Sequence, residues 1–298
     1  MKNLNNKVAA ITGAGSGIGQ ALALNLAQQG CHLALSDINE PGLLITQDLI
    51  RAALKGANKD PASITITTQT LDVANQEAVY SWAQQVVTDH GRVNLIFNNA
   101  GVALSGTVDS VSLEDYKWVM DINFWGVIYG TKAFLPLLEA SGEGHIVNIS
   151  SVFGLTSQPF MSAYNASKFA VRGFTESLRQ DLALTNSKVS TTCIHPGGIK
   201  TNICKTSRID DSVLKVTGAS EEDSRKEFEE LFITTPQKAA HTILKGVNKN
   251  KRRVLIGPDA KVLDILVRLF PTGYQWLFTK AVVWRSKSVQ KKAGSSVV

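Results

Sequence analysis

Seven short apolar runs, rich in β-branched residues, alternate along the chain with helix-length amphipathic segments, and this alternation leaves few folds open. The strand candidates are 7–12, 31–36, 63–71, 93–97, 145–150, 189–194 and 253–256, with helical patterns near 18–29, 41–55, 75–90, 112–140, 162–184 and 236–249. Strands apolar on both faces and joined by helices require a parallel sheet covered on both sides, the doubly wound α/β architecture. In such a sheet ligands sit beyond the carboxyl ends of the strands, so the residues just after each strand are the ones that can carry function.

Those positions are rich in chemistry. Thr12-Gly-Ala-Gly-Ser-Gly-Ile-Gly19 follows the first strand and opens the first helix, where a glycine turn lets the backbone and a helix N-terminus approach a pyrophosphate. Gly13, Gly17 and Gly19 give the spacing G-x-x-x-G-x-G; with Gly15, Ser16 and Ile18 they form a candidate nucleotide-binding turn. Asp37, at the end of the second strand, can accept hydrogen bonds from ribose hydroxyls and would repel a 2′-phosphate. Neither Ser16 nor Ile38 provides a cation for such a phosphate, so NAD(H) is favoured over NADP(H).

Tyr164 and Lys168 stand four apart in a helical stretch, placing a phenol and an ammonium on one face. The ammonium favours the phenolate, and the expectation is a tyrosine pKa lowered from about 10. The pair alone is weak, because such spacings recur on helices that only pack or face water.

The glycine turn, Asp72-Val73, Asn98-Asn-Ala-Gly101, Asn123, Ser151, Tyr164-x-x-x-Lys168 and Pro196-Gly197 together resemble the short-chain dehydrogenases/reductases over roughly residues 5–257. The resemblance implies a single Rossmann-type domain that interconverts a secondary alcohol and a ketone. It gives Asp72 and Val73 to the adenine, Asn99, Ala100 and Gly101 to the cofactor cleft, and Pro196, Gly197, Ile199 and Thr201 to the nicotinamide side. Ser151, thirteen residues before Tyr164, would bond the reacting oxygen while Tyr164 exchanges its proton. Lys168 would activate Tyr164 and hold the nicotinamide ribose, and Asn123 would hold a relay water beside it. No G-x-S-x-G turn surrounds Ser151, which sets a Ser-His-Asp hydrolase aside. A non-catalytic NAD(H) sensor or scaffold on the same fold is the alternative of a different class.

Ser150 reads as a structural neighbour of Ser151, His145 and His195 as packed residues, and Cys31, Cys193 and Cys204 as core thiols of a reducing compartment. No metal-ligand spacing occurs, and with no apolar leader before the first strand the expected location is cytoplasmic. Residues 200–234 read as a lid over the substrate, and Phe153, Leu155, Phe160 and Met161 as an apolar wall. By resemblance, helices spanning 112–140 and 162–184 would join subunits in a homodimer or homotetramer.

The net charge of +6 resides entirely in residues 260–298, which carry seven Lys/Arg and the single Asp264; the body, 1–259, is neutral, which removes support for nucleic-acid binding. This C-terminal helical extension contains Lys261, Asp264 and Arg268 as one narrow polar stripe, then Trp276, Phe278 and Trp284 among Lys280, Arg285, Lys287, Lys291 and Lys292. Peripheral contact with a membrane surface and packing on a subunit or over the pocket are weighed evenly.

Overall fold

Val8–Thr12, an uncharged run of small and β-branched residues, forms β1 and is buried at every position, as a strand covered on both faces must be. The computed structural model describes residues 3–230 and 232–295, and their side chains except at 227, 228 and 288–295. After β1 come α1 (Gly17–Gln28), β2 (His32–Asp37), α2 (Glu40–Gly56), β3 (Ile66–Thr70), α3 (Gln76–His90) and β4 (Leu95–Asn98). Then follow β5 (Leu104–Ser105), α4 (Leu113–Met120), α5 (Gly126–Ala140), β6 (Gly144–Ile149), α6 (Ser162–Leu184) and β7 (Val189–Pro196). The chain continues through β8 (Arg208–Ile209), α7 (Asp211–Thr217), α8 (Glu221–Glu230), α9 (Pro236–Asn248), β9 (Arg253–Ile256), α10 (Pro258–Leu269) and α11 (Gly273–Ser295).

The main sheet is parallel throughout, in the order β3-β2-β1-β4-β6-β7-β9. Connections run one way from β1 to β3 and the other way from β4 onward, so a crevice opens between the carboxyl ends of β1 and β4. Strand alternation divides the core between the two faces. Ala9 and Ile11 join Leu22, Leu26 and Ile243 on one side; Val8 and Ala10 join Trp82, Phe134 and Leu138 on the other. Phe134 is fully buried and meets Trp82 edge-on, with ring centroids 5.2 Å apart.

Two expectations need correction. The strand expected over 63–71 begins only at Ile66, because Pro61–Ser63 is a 3-10 turn whose proline cannot donate to a ladder. The helix expected over 112–140 is interrupted by a π-helical turn at Asp121–Trp125. Within the segment read as a lid, contacts with the body are fixed. β8 pairs with β5, and Arg208 stacks on Trp118 at 3.7 Å while bonding Asp115 at 2.6 Å. On α10, Asp264 of the polar stripe turns to the body and pairs with Arg253 of β9 and with Arg268, while Lys261 and Arg268 are exposed. Lys291 and Lys292, as side chains, and residues 296–298 lie outside the described residues.

Truncating Phe134 to Ala removes a fully buried aromatic ring of the α3/α5 face and is expected to cost about 3–5 kcal/mol in urea unfolding. A loss below about 1 kcal/mol would show that this layer repacks freely.

Candidate active site

The crevice is held shut at its floor by side chains that finish the hydrogen bonding of the strand ends. Thr12 Oγ1 accepts from the backbone N–H groups of Asn99 and Ala100, at 3.0 and 3.1 Å. Asn99 Nδ2 returns two bonds, to the carbonyls of Thr12 at 2.9 Å and Gly13 at 3.1 Å. Gly13 has φ 66°, a left-handed conformation that glycine adopts without steric cost. At Gly19 the contact is steric, since a Cβ there would land on the Gly13 carbonyl oxygen. Ser16 stands at the N-cap of α1 without spending its side chain on the cap, so the first turn of the helix faces the crevice with its backbone donors.

Asp37 is fixed at the end of β2: Oδ2 accepts from Gly15 N at 2.8 Å and Oδ1 from Asn39 N at 2.9 Å. Ile18, on the opening turn of α1, packs against the core cluster that holds Ile11 and Leu22. Asp72 caps its own loop through Ala74 N, and Val73 packs where Gly126 leaves room at the start of α5. Across the crevice, Pro196 ends β7, Gly197 N bonds Ile256 O, Ile199 is buried, and Thr201 comes close to Gly17. The glycine turn and the Pro196–Thr201 loop therefore meet at Gly17 and Thr201.

The catalytic candidates converge at the same end of the sheet. Ser151 follows β6, where its hydroxyl accepts from Phe153 N at 3.1 Å, and Tyr164 lies in the first turn of α6, near enough for the Ser151 hydroxyl to act on the phenol. Lys168 Nζ sits 5.6 Å from the Tyr164 ring centroid and donates to Ile149 O at 3.2 Å. Ser150 anchors the helix, its hydroxyl donating to Lys168 O at 2.8 Å. Asn123, fully buried in the π-helical turn, accepts from Val102 N and donates to Val102 O and Ser167 Oγ. Its Oδ1 and Lys168 Nζ both lie within 3.3 Å of the point where a Gly101 side chain would begin. The Asn123 side chain thus positions the Val102 loop and α6.

The expected lowering of the Tyr164 pKa is not what the site produces. Burial pushes the phenol up to about 12, and the Ser151 hydrogen bond, which works the other way, does not cancel it. Burial also pushes Lys168 down to about 8, weakening the charge that was expected to dominate. The apolar neighbours explain this: Tyr164 packs with Ala103, Met161, Phe153 and Ile203, and Phe153 meets its ring edge-on at 6.1 Å. Phe160 holds a left-handed φ of 63°, uncommon for an aromatic residue, and its carbonyl accepts from Gly106 N at 2.7 Å. Leu155 is buried in the same loop, so the wall is part core and part cleft.

Two functional positions escaped the sequence reading. Thr12 was visible only as the first letter of the glycine motif, although it ties β1 to β4. Asp259, in the first turn of α10, accepts from Gly198 N at 2.6 Å and so holds the turn after β7. Nothing in its local sequence separates it from an ordinary first-turn acid. Among the described residues no group of three His, Cys, Asp or Glu gathers in a metal-binding arrangement. Cys31, Cys193 and Cys204 are free and buried, with thiols pushed up to about 12 chiefly by burial.

His195 supports the site from behind, its Nδ1 3.0 Å from the Ser151 carbonyl, and His145 bonds Thr192 across to β7. Burial lowers His195 to about 4 and His145 to about 3, from an ordinary 6.5. Unfolded chains take up these protons below about 6.5 and the folded chain does not, so this stability is full above 6.5 and lost as pH falls toward 4. Together the two histidines should steepen acid unfolding by about 2–3 kcal/mol per pH unit in that window. Urea titrations of His145→Gln and His195→Gln at a series of pH values should each show about half that slope removed; unchanged slopes would assign acid unfolding elsewhere.

A family model described as short chain dehydrogenase matches residues 7–212. SadH of Mycobacterium tuberculosis, which carries a provisional oxidoreductase name, is 47% identical over 282 residues, covering 95% of this chain and 97% of its own. Dehydrogenase/reductase SDR family member 7B of Xenopus tropicalis is 32% identical, covering 97% of this chain and 88% of that protein. The crystal structure of a short chain dehydrogenase/reductase from Burkholderia phymatum in complex with NAD aligns with a TM-score of 0.79 at 30% identity, covering 92% of this chain and 97% of that one. The residues that meet at the β1/β4 crevice therefore belong to a known oxidoreductase architecture, and the chain is a member of the short-chain dehydrogenase/reductase family.

Proposed function

We propose that the protein interconverts a secondary alcohol and a ketone of apolar character, with NAD(H) as the redox partner. The observation that carries this reading is the convergence of Ser151, Tyr164 and Lys168 at the carboxyl end of β6, beside the Gly13–Gly19 turn and the fixed carboxylate of Asp37. The bound nicotinamide supplies or accepts the hydride. Ser151 and Tyr164 together bracket the reacting oxygen. Because burial keeps the phenol protonated through neutral pH, Tyr164 is suited to donate a proton to a carbonyl oxygen as hydride reaches its carbon. Lys168 offers its ammonium to the cofactor's ribose, and through Asn123 and Ser167 the helix carrying Tyr164 is tied to the wall of the crevice. Met161, Phe153 and Ile203 around the phenol favour an apolar substrate. Trp125 and Phe169, both more than a third exposed on the π-helical turn and α6, suit these helices to a subunit interface in a homodimer or homotetramer.

The cofactor preference follows from the immobilised carboxylate of Asp37 and the exposed, uncharged Ile38 after it. A 2′-phosphate placed there meets a like charge with no cation in compensation. NADH is therefore expected to exceed NADPH in kcat/KM by at least about tenfold, and Asp37→Ser to narrow the gap. Equal use of the two cofactors by the unaltered protein would reject the NAD assignment.

Tyr164→Phe keeps the ring and its packing but removes the proton, and should lower kcat/KM for ketone reduction by about 10²–10⁴-fold while NADH still binds. In the unaltered protein, ketone reduction should hold through neutral pH and fall on the alkaline side, and alcohol oxidation should rise with pH, since one direction needs the phenol and the other the phenolate. Tight NADH binding with no turnover of any ketone in a broad panel would favour the sensor instead.

A further inference from the structure

We infer that the outward face of α10 and α11 is a docking surface for an anionic lipid bilayer. On α10, Val262, Ile265 and Leu269 recur at helical spacing and are 57–68% exposed, and Phe270 continues the face at 56%. The same helix turns Ala260 and Asp264 toward the body, with Leu263, Leu266 and Val267 half-buried, so that it is apolar on its outer side as well. On α11, Trp276 and Trp284 are 63% and 76% exposed, with Lys280 between them and 5.7 Å from the Trp276 ring centroid.

These helices are held to the body and do not trail from it. Tyr274 is buried, its hydroxyl accepts from Ser157 N at 3.2 Å, and α11 packs on α7. Asp259 and Asp264 tie α10 to the turn after β7 and to β9. The outward apolar face is therefore a fixed surface of the folded chain.

Charge selects the occupant. The extension holds all of the protein's net charge, and its one acid beyond residue 259 is turned inward against Arg253. Lys261, Arg268, Lys280 and Lys287 are exposed at the margins of the apolar face. Two-fold pairing of this face with itself would set like charges together, whereas an anionic bilayer accepts tryptophan rings at its interface and lysines among its headgroups. No helix among the described residues is long and apolar enough to cross a membrane, so the contact lies in the plane of the surface.

The test is co-sedimentation of the full chain with vesicles of phosphatidylcholine alone and of phosphatidylcholine with phosphatidylglycerol, at low and high salt. The protein is expected to pellet with the anionic vesicles and to be released by salt. Trp276→Ser with Trp284→Ser should weaken partitioning at least about tenfold, and Lys280→Ala about fivefold. Both variants change exposed side chains, and an unaltered thermal melt would establish that each remains folded. Failure of the unaltered protein to pellet with either vesicle, or variants that pellet as it does, would overturn the inference. A fall in molecular mass of the tryptophan variant by analytical ultracentrifugation would overturn it too, assigning the face to a second copy of the chain.

Discussion

The site depends on an exchange of four hydrogen bonds between Thr12-Gly13 and the Asn99 loop. A parallel sheet leaves the ends of neighbouring strands with backbone groups that have no ladder partner, and the ends of β1 and β4 are where the chain's direction of winding reverses. Thr12 Oγ1 and Asn99 Nδ2 satisfy those groups without filling the space above them. A hydrophobic plug would have satisfied the core and erased the crevice. Placing the polar work on side chains that point along the sheet keeps the glycine turn and the Asn99–Gly101 loop apart and fixed.

The proton-transfer group embodies a conflict between proximity and desolvation. Two titratable side chains four residues apart on a helix face should assist one another in water. Here Lys168 is 3% exposed and Tyr164 8%, and burial acts on each toward its neutral form. Low dielectric also strengthens whatever charge interaction survives. The pair is thus strongly responsive to groups that approach it, because each new hydrogen bond or charge acts in a medium that screens little. Ser150, bonded to the Lys168 carbonyl, and Ser167, bonded to that of Tyr164, keep the helix still while this happens.

Strand periodicity and turn chemistry made the architecture legible, because fully buried strands have a distinctive composition and glycine turns a narrow conformational role. The site residues that face the crevice could be read for the same reason, as they follow strands. What could not be read depends on long-range geometry. Thr12 acquires its role only when β4 lies beside β1, and Asp259 only when α10 starts beneath the turn after β7. The Tyr164 pKa was misjudged because helical spacing reports the neighbour at 168 and says nothing of Met161, Ala103 and Ile203 closing around the ring. Within residues 200–234 the contacts with the body could not be read, because a two-residue strand and a guanidinium stacked on Trp118 leave no periodic trace.

Charge segregation in the C-terminal extension follows from how α10 is attached. A helix that must dock on a neutral, apolar body would ordinarily present apolar residues inward and charges outward. α10 adds acids as fasteners, with Asp259 accepting from the backbone after β7 and Asp264 meeting Arg253 on β9. Fastening by acids turns the negative charge of the segment inward, while Ala260, Leu263, Leu266 and Val267 are enough to seat the helix and Val262, Ile265 and Leu269 are left exposed. Both consequences appear on the outer surface, which is left basic and apolar at once. That combination is costly in water alone, and it becomes favourable where an interface supplies an apolar layer and fixed negative charge within a few ångströms of one another.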